Sequence, residues 1–210
     1  MDTDVTSEVS IALMARAPEP GHAKTRLIPR LGAAGAARLH EALTRHALGQ
    51  IAACGLPATL WCDPDSTHPF FGRCAAAFGV ALRAQPQGDL GVRMNGIFES
   101  AGAPLLLMGS DCPTIDAPLL HACAAALSRA QAVFLPTADG GYGLVGLRAP
   151  MAAIFAGMPW GTGAVMATTR ERLARMGVVW EEPATIWDVD TPADMDRLAG
   201  IGFAIPTCED

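Results

Sequence analysis

The chain has little charge and almost no lysine or tyrosine. Among 210 residues, Lys24 is the only lysine and Tyr142 the only tyrosine, and charged residues amount to 17%. The net charge of −6 leaves no broad basic surface. Affinity for a phosphate backbone or an anionic bilayer depends on such a surface, so nucleic acid and membrane are not expected partners. No apolar run approaches the roughly 20 residues that span a bilayer. The six cysteines (Cys54, Cys62, Cys74, Cys112, Cys123 and Cys208) form no Cys-x-x-Cys pair. A chain of this length needs no disulfide staples, and reduced, buried thiols are expected. The start, Met1-Asp2-Thr3-Asp4, is acidic and lacks a basic region before an apolar core. It predicts no secretory leader, a cytoplasmic location and a flexible tail over residues 1–8. The five histidines lack metal spacing such as His-Glu-x-x-His, and Ser110 lacks a Gly-x-Ser-x-Gly elbow.

What is present is a core. Half the residues are hydrophobic, enough for one domain over residues 1–210. Val9 to Ala15 and Leu105 to Met108 are nearly continuous apolar runs, the pattern of strands buried on both faces. Further strands are expected at Ala58 to Cys62, Val80 to Arg83, Ala132 to Pro136, Gly143 to Leu147 and, extended, Val178 to Glu181. Helical patterns cover Ala33 to Ala53, Pro69 to Phe78, Val92 to Ala101, Asp116 to about Ser128, Met151 to Phe155, Ala164 to Met176 and a last helix from Thr191-Pro192. Strands alternating with helices predict a three-layer α/β/α fold around a twisted, mostly parallel sheet.

Candidate chemistry stands where strands end. After the first strand, Ala15 to Leu27 holds two prolines, Gly21 and the cations Lys24 and Arg26, with Thr25 between them. Such a loop can offer a phosphate chain donors and positive charge. It is not a Walker loop, because Pro18 and Ala23 stand where glycines are required. After Leu105 to Met108 comes Gly109-Ser110-Asp111-Cys112-Pro113. A carboxylate just beyond a buried strand must face a crevice, accept hydrogen bonds or bind a cation. It is either a turn or cap residue or a Mg²⁺ ligand. Asp188 and Asp190 sit two apart in an extended stretch, so both point the same way. Such a pair suits a hard cation, Mg²⁺ or Mn²⁺, unless Asp190 caps the last helix. Asp139-Gly140-Gly141-Tyr142 is a hairpin turn or a glycine-lined ligand floor. Gly141-x-Gly143-x-x-Gly146 opens no helix and is not a dinucleotide fingerprint. Cys112, beside Asp111, is a poor nucleophile, since the carboxylate raises its thiol pKa.

Ala23-Lys24-Thr25-Arg26-Leu27, Gln87-Gly88-x-Leu90-Gly91-x-Arg93-Met94, Gly109-Ser110-Asp111-Cys112-Pro113, Asp139-Gly140-Gly141-Tyr142 and Asp188-Val189-Asp190-Thr191-Pro192 occur in that order. Together they resemble, along nearly the whole chain, a bacterial glycosyltransferase A-like family with the GT-A (nucleotide-diphospho-sugar transferase) fold. The first loop, the glycine pair and the terminal Asp-x-Asp-Thr-Pro are also similar to the phospholactate guanylyltransferases. The resemblance implies a Rossmann-like GT-A transferase. Ala15, Arg16, Gly21, Lys24, Thr25, Gln87, Gly88 and Ser110 would hold the nucleotide. Asp111, Asp188 and Asp190 would bind Mg²⁺ or Mn²⁺, Lys24, Arg26 and Asp111 would act in catalysis, and Asp139, Gly140, Gly141 and Tyr142 would face the acceptor. The loop is poorer in glycine than in nucleotidyltransferases, and the tight Asp-x-Asp of GT-A glycosyltransferases is Ser110-Asp111 here. Neither subclass fits completely. Compact size, with no second region to bind a large acceptor, favours nucleotidyl transfer from a nucleoside triphosphate to a small phosphate- or carboxylate-bearing acceptor as the expected activity. Glycosyl transfer from a nucleotide sugar and a non-catalytic nucleotide-binding module are the alternatives, and a homodimer is an allowed assembly.

Overall fold

The computed structural model describes residues 9–102 and 104–205, so the expected tail over residues 1–8 and Cys208 lie outside the described residues. The strands are β1 (Ser10–Arg16), β2 (Ala58–Asp63), β3 (Ala81–Ala84), β4 (Leu105–Gly109), β5 (Ala132–Pro136), β6 (Tyr142–Leu147) and β7 (Trp180–Glu181). They form one sheet in the order β3-β2-β1-β4-β6-β5-β7. β1 runs parallel to β2 and β4, and only β6 runs antiparallel to its neighbours, β4 and β5.

The continuous apolar runs resolve into two faces, because successive strand side chains point to opposite sides. Ile11, Leu13, Leu106 and Met108 share a core with Ala47, Leu48, Phe70, Phe71, Leu120 and Cys123. These last come from α1 (Ile28–Cys54), α2 (Pro69–Phe78) and α4 (Ala117–Ala126). Ala12, Leu105 and Leu107 face the other way, against Met94, Ile97 and Phe98 of α3 (Leu90–Ala101) and Met166 and Leu173 of α5 (Val165–Arg175). Each large side chain removed from water here contributes about 1.5–3 kcal/mol. Covering both faces with helices gives the expected three-layer, Rossmann-like GT-A architecture. α6 (Pro192–Gly200) packs Met195 and Leu198 on Leu39 and Leu43 of α1.

Several boundaries differ from the sequence expectation. α1 begins at Ile28, with its first turn set off by Gly32 at φ 68°. α3 begins two residues early because Asp89 caps it, its carboxylate accepting from the Val92 amide at 2.9 Å. The helix expected over Met151 to Phe155 is a single 3₁₀ turn, Ala152–Ile154, and the extended stretch at Val178 forms a ladder only over Trp180–Glu181. Asp190 does not cap α6. Thr191 is the cap, and the Asp194 carboxylate reaches back to accept from the Asp190 amide (3.1 Å), the Thr191 amide (2.6 Å) and the Thr191 hydroxyl (2.7 Å). The Asp190 carboxylate is thereby left for other partners.

The sheet order reverses direction between β1 and β4. In open α/β sheets the crevice at that switch point, outside the carboxyl ends of the strands, receives the ligand. β6 starts at the same edge, so Asp139 to Tyr142 lies there too. The Asp188 segment joins it through the Val189 amide, which donates to the Asp111 carbonyl at 2.9 Å.

Candidate active site

The loop after β1 ends on Lys24, the only described residue other than glycine with positive φ (49°). A side chain in the left-handed region is strained and persists where its surroundings hold it. Here the hold is on both sides of the crevice. The Lys24 Nζ donates to the Val189 carbonyl at 2.6 Å and lies 2.8 Å from Asp111 Oδ2, with only 4% of its side chain exposed. One ammonium therefore joins the β1 loop, the end of β4 and the segment before α6. Asp111 keeps 41% of its side chain open to the crevice.

Burial disfavours the charged form of Asp111, but the Lys24 ammonium and the His40 ring override it and hold the carboxyl well below the usual range. His40, on α1, is itself buried. Its Nε2 lies 2.9 Å from the Arg16 carbonyl, so it donates there. Its Nδ1 has no hydrogen-bond partner and stands 3.7 Å from Asp111 Oδ1.

Asp111 lines three adjoining cavities. The first, about 380 Å³, lies over the ends of β1, β2 and β3 and includes Ala15, Arg16, Gln85, Gly88 and Ser110. Its wall is fixed by a chain of polar contacts. Arg16 Nε pairs with Asp63 at 2.9 Å and Arg93 pairs with the other Asp63 oxygen at 3.1 Å. Gln85 donates to the carbonyls of Trp61 (3.0 Å) and Ala15 (3.3 Å) and accepts from Arg93 (3.3 Å). The second, about 270 Å³, is enclosed by Arg16, His22, Lys24, Thr25, Arg26 and His40 together with Asp111 and Asp190. The third, about 400 Å³, has an apolar wall of Met14, Met94, Leu107, Tyr142, Val145 and Trp160 and carries Asp139, Asp188 and Asp190.

The acidic residues on the third cavity are unequally compensated. Arg26 pairs with Asp190, and Lys24 with Asp111. Burial first, then the Asp139 and Asp190 carboxylates, push the Asp188 carboxyl above its usual range. Among the described residues, no three of His, Cys, Asp and Glu converge into a metal-holding group. Asp111, Asp188 and Asp190, expected to share a cation, thus line one cavity with two of them engaged by protein cations. Their chemistry nevertheless fits a hard divalent ion: all three present carboxylate oxygen, and Asp188 forms no ion pair among the described residues.

The model of the family described as "uncharacterized protein conserved in bacteria (DUF2064)" matches residues 37–162. The chain belongs to this family. No curated protein matches the DUF2064 chain significantly. Among solved structures, it is similar to a candidate nucleotide-diphospho-sugar transferase from Desulfovibrio desulfuricans G20, at 30% identity and a TM-score of 0.80 over 88% of this chain and 83% of that one. It shares its fold with 4-diphosphocytidyl-2C-methyl-D-erythritol synthase from Anaerococcus prevotii (9% identity, TM-score 0.63, 95% and 99% of the two chains). The same holds for glucosyl-3-phosphoglycerate synthase from Mycobacterium tuberculosis, solved with Mn²⁺ and UDP (11% identity, TM-score 0.54, 95% and 81%).

Most of the residues singled out from the DUF2064 sequence meet around the crevice. Ala15, Arg16, Gly88 and Ser110 line the first cavity, Lys24, Thr25 and Arg26 the second, and Asp139, Gly141 and Tyr142 the third. Gly21 and Gln87 are exposed and line none of the three. The inward glutamine is Gln85, because its amide extends the β2–β3 ladder to the Cys62 carbonyl (2.9 Å) and turns its side chain into the sheet end. Gly140 supports the third cavity from behind. A Cβ there would overlap the backbone of Gly163, so the two loops pack glycine on glycine. His40, Asp63 and Gln85 were not singled out as site residues, whereas Trp160-Gly161-Thr162-Gly163, readable from the sequence either as a pocket lining or as a loop with a buried tryptophan, does line the third cavity through Trp160, Gly161 and Thr162. His40 left a trace in the sequence, as it falls on the buried stripe of α1 with Ala36, Leu43 and Ala47.

Proposed function

We propose that this protein is a nucleotide-using transferase that moves a nucleotidyl group from a nucleoside triphosphate to a small acceptor. The observation carrying this reading is the cation-lined cavity of Lys24, Arg26, Arg16 and His22, which adjoins the apolar one at Arg26, Asp111 and Asp190. A leaving pyrophosphate needs a cation-lined space of its own, whereas a departing nucleoside diphosphate remains where its nucleotide bound. The base would occupy the cavity of Gln85 and Gly88, and the α-phosphorus would sit above Asp111, where the three cavities meet. An acceptor oxygen attacks that phosphorus in line, the bond to the bridging oxygen breaks, and pyrophosphate leaves toward Lys24 and Arg26. These fixed cations stabilise the charge on the leaving group, each on the scale of about 3 kcal/mol of barrier.

Asp111 and Asp188 would hold Mg²⁺ or Mn²⁺, which when bound neutralises phosphate charge. Lys24 serves until then as counter-charge, keeping Asp111 ionised and aimed at the crevice. A second reading, glycosyl transfer from a nucleotide sugar, is favoured by the likeness to the D. desulfuricans structure. Incubation with Mg²⁺, single nucleoside triphosphates and candidate acceptors separates the two. Pyrophosphate release supports nucleotidyl transfer. Consumption of a nucleotide sugar with nucleoside diphosphate release and no pyrophosphate would replace it by glycosyl transfer.

A further inference from the structure

We infer that the third cavity takes an uncharged, hydroxyl-rich ring compound with an apolar face, in place of a phosphate- or carboxylate-bearing acceptor. The inference rests on the transfer reaction proposed above and names its acceptor class.

The first ground is charge. Asp111, Asp139, Asp188 and Asp190 line the cavity, and Arg26 is the only Lys or Arg side chain among its lining residues. Before the metal binds, Arg26 is taken by Asp190 and Lys24 by Asp111; afterwards both are committed to the leaving pyrophosphate. A divalent cation held by Asp111 and Asp188 would offset that pair and still leave Asp139 without a cation, while the triphosphate brings negative charge of its own. An anionic acceptor would thus be desolvated among like charges, with no free cation to meet it.

The second ground is the polar rim. Asp139 Oδ1 accepts from the Thr137 hydroxyl (2.5 Å) and the Gly141 amide (3.1 Å), and Oδ2 accepts no hydrogen bond among the described residues. A fixed carboxylate with a free oxygen asks for a hydroxyl or N–H donor.

The third ground is the wall opposite. Trp160 meets Tyr142 edge-on with ring centroids 6.3 Å apart. Its indole also seals against α3, where a Cβ on Gly91 would come within 3.1 Å of Trp160 Nε1. The Trp160–Gly163 loop is pinned by the Gly140–Gly163 contact and by the Met166 amide donating to the Gly140 carbonyl at 2.8 Å. The aromatic wall is therefore built in place, and it suits the C–H face of a ring whose hydroxyls reach the rim.

Three probes that share one ring and differ in charge test this: methyl α-glucoside, glucose 1-phosphate and glucuronate. Each is titrated into the full chain with Mg²⁺ and an α,β-methylene nucleoside triphosphate, while the Trp160 indole N–H resonance, assigned with Trp160→Phe, is followed by NMR. The glucoside is expected to shift that resonance and to bind at least tenfold more tightly than either anion. Asp139→Asn is expected to narrow the difference severalfold. Equal or tighter binding of an anion, no response to any probe, or an unchanged difference in Asp139→Asn would overturn the inference. Nucleotide binding is read separately from the phosphorus resonances of the analogue. If the analogue fails to bind while the glucoside preference persists, the transfer reading falls and the acceptor class stands.

Discussion

Replacing Lys24 by Met removes the ammonium while keeping most of its apolar stem, and so isolates the charge that joins the three parts of the crevice. Two contacts disappear, to the Val189 carbonyl at 2.6 Å and to Asp111 at 2.8 Å. A hydrogen bond from a charged donor contributes about 1.5–3 kcal/mol. Breaking a fully buried ion pair costs about 3–5 kcal/mol, but Asp111 is 41% exposed and water can take over much of that loss. The combined destabilisation should be about 2–4 kcal/mol, or roughly 5–15 °C in Tm for a chain of this size, measured by calorimetry or circular dichroism. Adding Asp111→Asn to Lys24→Met should restore part of the loss, since no charge is then left unpaired. The sign of the pH dependence follows from the lowered Asp111 carboxyl. Its contribution is fully present above the unfolded-state value near pH 4 and is lost as pH falls from there through the folded value. The gap between wild type and Lys24→Met should be full at pH 7 and narrow as pH falls below roughly 4, leaving the part due to the Val189 carbonyl contact. A gap under about 2 °C at pH 7, or one that does not change with pH, would refute this account of Lys24.

Asp188 behaves oppositely, because burial and Asp139 raise its carboxyl. Its ionisation costs stability as pH rises from the unfolded-state value through the folded one, so Asp188→Asn should raise Tm at pH 7, with the gain vanishing below roughly pH 4. Gln85→Ala should lower stability by about 1–3 kcal/mol in denaturant titrations, since two buried carbonyls lose their donor, whereas Gln87→Ala at an exposed site should stay within about 0.5 kcal/mol. Gly140→Ala, at φ 92° and against the Gly163 backbone, should displace the Trp160 loop, visible as red-shifted tryptophan emission; an unchanged spectrum and Tm would contradict the glycine-on-glycine contact.

The sheet and its two-sided cover were legible because buried strands leave apolar runs, and Lys24 and Asp111 were legible because polar groups stand where those runs end. That they face each other across the sheet's C-terminal edge was legible too, but their direct contact at 2.8 Å, in place of a gap, was not, since it depends on β1, β4 and the segment before α6 meeting. Gln85 and Gln87 differ by two positions on either side of Pro86. Only the ladder bond from the Gln85 amide to Cys62 decides which one turns inward. Trp160 reaches the site because Gly140 meets Gly163 and Gly91 leaves room for the indole, a fit between distant glycines that no local pattern encodes. The freedom of Asp190 depended on whether Asp190 or Thr191 would cap α6, and it follows from Thr191 taking the cap with Asp194 reaching back to it.

The central claim is that one crevice holds base, pyrophosphate and acceptor in three cavities meeting at Asp111. A crystal structure with Mg²⁺ and an α,β-methylene nucleoside triphosphate tests it most directly. The account predicts the base beside Gln85 and Arg93, the β- and γ-phosphates against Lys24 and Arg26, and the α-phosphorus above Asp111 facing Trp160. A triphosphate bound elsewhere, or one that leaves Lys24 and Arg26 without a phosphate contact, would contradict it.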